Sequence, residues 1–149
     1  MRIKMSDSIN FQCDLNTTDT TIPLGFEILL NDKSVYKCNH VIGPCQVTFD
    51  INDDDTTQKL QFIMTGKTAE HTKLDHNNNI IKDALLEINN VTIDDVDITH
   101  ILTELVEYTH DFNGTQDATR EKFYGHMGCN GTVTLEFATP FYLWLLERM

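Results

Sequence analysis

Apolar and polar residues alternate through most of this chain, with the two-residue period of strands that bury one face. From Ser8 to Leu15 the apolar positions are Ile9, Phe11, Cys13 and Leu15, which predicts a first strand with those side chains inward. Leu24 to Leu30 and Ser34 to Cys38 follow as the second and third strands. The Asn31-Asp32-Lys33 link between them signals a hairpin, because Asn and Asp tolerate positive φ. Behind the break at Gly43-Pro44, Cys45 to Ile51 alternates through Val47, Phe49 and Ile51. Lys59 to Met64 and Ile80 to Ile88 are the strongest strand patterns, separated by a polar loop rich in Asn, Asp and His. Val91 to Ile93 continues the second of these. The Asn89-Asn90 pair puts the alternation out of step by one residue, the mark of a β-bulge or sharp bend. Thr132 to Phe137 resumes the pattern near the end of the chain.

Three segments depart from it. Ile98, Ile101, Leu102 and Leu105 fall at helical spacing behind Asp97 or Thr99 as cap, which predicts one or two turns and then a strand from Leu105 to His110. Asp111 to Gly131 has weak periodicity and carries Gly114, Gly125, Gly128 and Gly131, as functional or interface loops do. Thr139-Pro140 has the order of a helix start, although the same residues fit an extension of the sheet. The tail from Phe141 to Met149 is apolar on every face, so it is expected to bury itself in its own core or against a neighbouring subunit. Phe141, Tyr142, Leu143, Trp144 and Leu145 are its candidate interface residues. Together these elements predict an all-β fold: a two-sheet antiparallel β-sandwich of jelly-roll type with one or two short helices. It is expected to form a single domain over residues 1–149, with 139–149 as an interface tail.

Charge narrows the partners. Twenty-three acidic residues against eleven basic ones give a formal charge of −12, which repels a phosphate backbone and disfavours nucleic acid. The same excess attracts divalent cations or the basic face of a protein partner. No stretch approaches a membrane span, and Met1 to Ser8 contains no apolar run of signal-peptide length, so no membrane association is expected. A soluble existence in a cytoplasm until assembly is the expectation. Cys13, Cys38, Cys45 and Cys129 are scattered without a C-x-x-C pair and are expected as free thiols there. Cys38 and Cys45 are close enough in sequence to bridge, whereas zinc held by Cys38, His40 and Cys45 has the wrong spacing.

The polar loop is the foremost candidate for chemistry. Asp75, Asn77 and Asn79 at alternate positions, with Asp83 four residues on, resemble the start of an oxygen-ligand calcium loop. Ile80 stands where the EF-hand pattern has Gly and Leu86 where it has the bidentate Glu, and a solvated hairpin turn accounts for the same composition. Calcium is therefore the one cofactor entertained, and none is required. Asp53-Asp54-Asp55 and Asp94-Asp95-Asp97 would form a second cation site only if they lay at the same end of the sandwich. His71, His76 and His110 accompany Glu70, Asp75 and Asp111, and His71, Tyr108 and His110 are candidate ligand-binding residues. Tyr36, Tyr108, Tyr124, Tyr142 and Trp144 offer aromatic faces for sugar rings, although aromatic residues at strand spacing also fill cores. No nucleophile elbow and no Gly-rich loop between strand and helix is present, so an enzyme is not expected. Paired carboxylates leave a hydrolase as a distant third class.

Leu24 to Asp32, Leu60 to Thr72 and Ile80 to Ile98 resemble small β-sandwich structural proteins of tailed bacteriophages, marine ones in particular, over about two thirds of the chain. Tyr108 to Thr115 and the Phe141 to Glu147 tail share that likeness. A strand pair behind an acidic loop is also similar to calcium-dependent xylan-binding modules. The resemblance implies a non-enzymatic virion structural or decoration protein, assembled in the host cytoplasm, that contacts other virion proteins and copies of itself as a homo-oligomer. The alternative it implies is a carbohydrate-binding module for host-surface or polysaccharide glycans, with calcium.

Overall fold

The computed structural model describes residues 8–54, 56–68, 72–110 and 117–148. One sheet contains β1 (Ser8–Thr17), β4 (Cys45–Asn52), β8 (Leu86–Ile93), β9 (Val96–Asp97) and β12 (His126–Met127), in the order β12-β8-β1-β4 with β9 also on β8. The other contains β2 (Gly25–Leu30), β3 (Lys33–Cys38), β5 (Thr57–Thr65), β10 (Glu107–His110), β11 (Thr119–Lys122) and β13 (Gly131–Ala138), in the order β11-β10-β13-β5-β2-β3. All pairings are antiparallel, and the two sheets pack as a sandwich. β6 (Thr72–Leu74) and β7 (Ile80–Asp83) form a separate hairpin, and α1 (Thr99–Leu105) and α2 (Phe141–Leu146) are short helices.

The alternating rows of the sequence are the inner faces. Ile9, Phe11, Cys13 and Leu15 of β1 are all buried and face Leu60, Phe62 and Met64 of β5, also buried. Phe62 sits at the centre, its ring 6.0 Å from Phe11, 5.9 Å from Phe26 and 6.5 Å from Phe123. It thereby couples β1 of one sheet to β2 of the other. Fully burying such a ring stabilises the fold by about 2–3 kcal/mol through removal of apolar surface from water.

The connections follow from turn chemistry. Asn31 and Asp32 have φ of 51° and 69°, so the β2–β3 hairpin closes with both central residues left-handed, as a twisted hairpin requires. At Asn89-Asn90 the expected bulge is present: β1 pairs Gln12 with Thr92 but Asp14 with Asn89. Asn90 has a φ of 52°, and its amide donates to Asp14 Oδ2 at 2.7 Å.

Some boundaries differ from the periodic pattern. Ile80 to Ile88 is two strands, because the chain leaves the hairpin at Asp83 and enters the sheet at Leu86. Thr18 holds this crossing: its hydroxyl accepts from Leu85 N–H at 2.9 Å and donates to Asp83 O at 3.0 Å. Leu105 ends α1 instead of starting β10. Asp97, not Thr99, serves that helix, accepting Thr99 N–H at 2.8 Å, which holds its carboxyl below the usual carboxylate range. In the tail the helix is present, but Thr139 does not cap it, since its hydroxyl is engaged with the backbone of Thr56. Asp53 supplies the cap from the β4–β5 turn, accepting Phe141 N–H at 2.8 Å. The weakly patterned segment holds β11 and β12, which are too short to display a period.

Candidate functional site

β10 is the edge-side partner of β13, and its alternation turns Tyr108 and His110 inward while Glu107 and Thr109 face out. Gly131 makes this close pairing feasible, because a Cβ there would lie 2.3 Å from Thr109 O and 2.9 Å from His110 Cβ. The rings of Tyr108 and His110 are 4.8 Å apart. Across the ladder, Glu121 of β11 stands opposite Tyr108, and its Oε2 meets His110 Nε2 at 2.7 Å. The imidazole is buried while the carboxylate is half in solvent, so the pair presents its acidic end to water. The Tyr108 hydroxyl donates to Cys129 O and accepts from Cys129 N–H, and burial pushes the phenol well above its ordinary range.

A second ion pair forms the adjoining wall. The ammonium of Lys67 is buried and donates to Asp83 and to Gly128 O. Lys67 also exchanges two backbone hydrogen bonds with the side chain of Asn130, at 2.9 and 2.7 Å. A buried cation with two acceptors and a tethered backbone fixes the loop before β13 in place. Between the two ion pairs lies an open cleft of about 670 Å³. Tyr124 and His126 stand exposed on its lining, beside Leu85 and Lys122. The cleft thus offers an aromatic face, two carboxylates as acceptors, and imidazole and ammonium groups as donors.

This arrangement gathers four of the sequence-derived candidates, Tyr108, His110, Asp83 and Tyr124. It does not gather the proposed calcium set. Asp75 accepts from the backbone N–H groups of Asn77 and Asn79 at 2.8 and 2.9 Å, which holds its carboxyl below the usual range. Asp75, Asn77 and Asn79 are therefore a self-satisfied turn at the hairpin tip, whereas Asp83 sits at the hairpin base with Lys67. Among the described residues, no group of three or more His, Cys, Asp or Glu is arranged to hold a metal ion. His71 lies outside the described residues.

The two acidic clusters do share an end of the sandwich. Asp53 and Asp94 both act on Tyr142, whose hydroxyl donates to Asp94 Oδ2 at 3.4 Å. Their carboxylates are already engaged with backbone, Asp53 with Phe141 N–H and Asp94 with Asn10 N–H at 2.7 Å.

Of the candidate interface residues, Phe141, Trp144 and Leu145 are buried against β13, with the Trp144 ring 5.9 Å from Phe137 and Arg148 stacked over it at 4.5 Å. Tyr142 and Leu143 are exposed, as is Leu146 beside them. Burial in the chain's own core thus accounts for one face of the tail helix, and the other face stands in water. Lys67, Glu121 and Cys129 of the cleft escaped sequence reasoning, because each lies in a loop or short strand without periodicity. No helix among the described residues is long and apolar enough to cross a membrane. No protein-family model, curated protein or solved structure matches this chain.

Proposed function

We propose that this chain is a non-enzymatic structural protein that works through protein–protein contacts, of the virion structural or decoration type that its segments resemble. The observation that supports it is the outer face of α2. Tyr142, Leu143 and Leu146 leave 47%, 60% and 66% of their surface in water, side by side on one face of a helix whose other face is locked into the core. Large apolar side chains held rigidly together in water mark a contact surface. A second copy is the simplest occupant, since a two-fold axis would set this face against itself. Sedimentation velocity across a concentration series tests it. Association is expected for the native chain, and Leu143→Asp with Leu146→Asp should give a monomer with unchanged Tm. A native chain that is monomeric throughout overturns self-association.

A second reading, glycan recognition in the cleft, is favoured by Tyr124, which stands 67% exposed next to Glu121 and Asp83. A sugar ring stacks on such a face while carboxylates accept from its hydroxyls. A glycan array with and without calcium checks it: Tyr124→Ala should abolish any signal. An array blank under both conditions removes this reading.

A further inference from the structure

β3 and β4 are the terminal strands of opposite sheets, and residues 39–44 carry the chain from one to the other along the same side of the sandwich. Cys38 is the last residue of β3 and Cys45 the first of β4, so each thiol stands at an open sheet edge. Tyr36, two residues before Cys38 on the same face of β3, reaches across to Cys45 with its hydroxyl. That oxygen lies 3.6 Å from Cys45 Sγ, the Cys38 thiol donates to His40 O at 3.3 Å, and burial raises the Tyr36 phenol with both thiols adding to the shift. Cys45 is exposed and Cys38 half-buried, so both are reachable by a small reagent, whereas Cys13 is buried. The intervening loop is tied down in its middle, where Val41 is buried and its N–H donates to Leu24 O at 2.9 Å.

We propose that Cys38 and Cys45 are a paired-thiol modification site that reacts with low-molecular-weight disulfides to form a reversible staple between the two sheet edges. The exposed Cys45 thiolate attacks the small disulfide, giving a mixed disulfide and releasing one thiol. The Cys38 thiolate then displaces the second thiol as the protein S–S bond forms. Two electrons pass from the cysteine pair to the reagent, and the protons lost by the two protein thiols are carried by the two small thiols released. Excess small thiol reverses both steps. Chain closure across residues 38–45 withdraws freedom from the unfolded chain and joins two edge strands that otherwise present unpaired backbone groups. The staple would thus stay open in a reducing compartment and close in an oxidising one.

The test incubates the purified chain in glutathione buffers running from reduced to oxidised. Each sample is quenched with iodoacetamide and read by intact mass and peptide mapping. The expected product has lost the two thiol hydrogens and carries no carbamidomethyl group on Cys38 or Cys45, with those two peptides joined and Cys13 and Cys129 unlinked. Its Tm should rise by a few degrees and return on adding excess thiol. Cys38→Ser and Cys45→Ser, both at positions with solvent access, should each abolish the mass change and the Tm shift. Stable glutathione adducts without ring closure, covalent dimers, or four free thiols at the oxidising end would each overturn the proposal. The native-chain mass measurement decides between these outcomes even if a variant folds poorly.

Discussion

Single side chains set the chemistry of the interior, and Cys13 illustrates how. It points into the core from the middle of β1, and burial pushes its thiol up to about 12, with Asp14 and Cys45 adding to the shift. The folded state therefore holds this proton more tightly than the unfolded chain, whose thiol titrates near 9. Stability from that difference is complete below pH 9 and is lost as pH rises toward 12. The full loss amounts to about 4 kcal/mol by the conversion of 1.36 kcal/mol per pH unit. Cys13→Ala is expected to lower stability at pH 7 by about 1–2 kcal/mol through lost packing. It should also flatten the decline between pH 9 and 10. Above pH 10, Tyr36 and Tyr108, both raised by burial, keep the curve falling in either protein. Urea melts at pH 7, 9 and 10 check this, and parallel declines in both proteins would contradict it.

At the scale of elements, α2 depends on a residue far from it in sequence. Its six residues are too few to be stable alone, so docking and capping decide whether it forms. Asp53 provides the cap from the β4–β5 turn, and Asp53→Ala should destabilise the protein by about 1 kcal/mol. Trp144 is the single tryptophan and is buried on the docked face, so its emission reports this event directly. A red shift is expected in Asp53→Ala and none in Asp54→Ala; identical spectra would place the cap elsewhere. The same helix shows where sequence reading stops. Thr139-Pro140 fitted either a helix start or an extension of the sheet, whereas the long strands were legible because one buried face imposes a period of two. Which side of an all-apolar helix faces water was not legible, since that follows from where β13 lies. The cleft divides in the same way. Tyr108 and His110 could be singled out within a patterned strand, but Glu121 and Lys67 acquire their roles only when β11 and the loop after β5 are brought beside them.

Across the whole molecule, charge and apolar surface oppose each other in any self-association. Each copy carries a formal charge of −12, so bringing two together is resisted by like-charge repulsion, while the α2 face gains by leaving water. Repulsion between exposed charges is screened over roughly 8 Å at physiological salt and over a shorter distance as salt rises. Self-association through Leu143 and Leu146 should therefore strengthen between about 50 mM and 500 mM sodium chloride. A partner with a basic face would show the opposite trend, because the same screening weakens attraction between unlike charges. Sedimentation equilibrium at several salt concentrations separates the two cases by the sign of the slope alone. Association of the chain with itself that weakens with salt would mean that local ion pairs, not the apolar helix face, hold the copies together. Leu143→Asp would then have little effect, and the contact would have to be sought among exposed charged pairs such as Lys59 with Asp32 or Arg120 with Glu107.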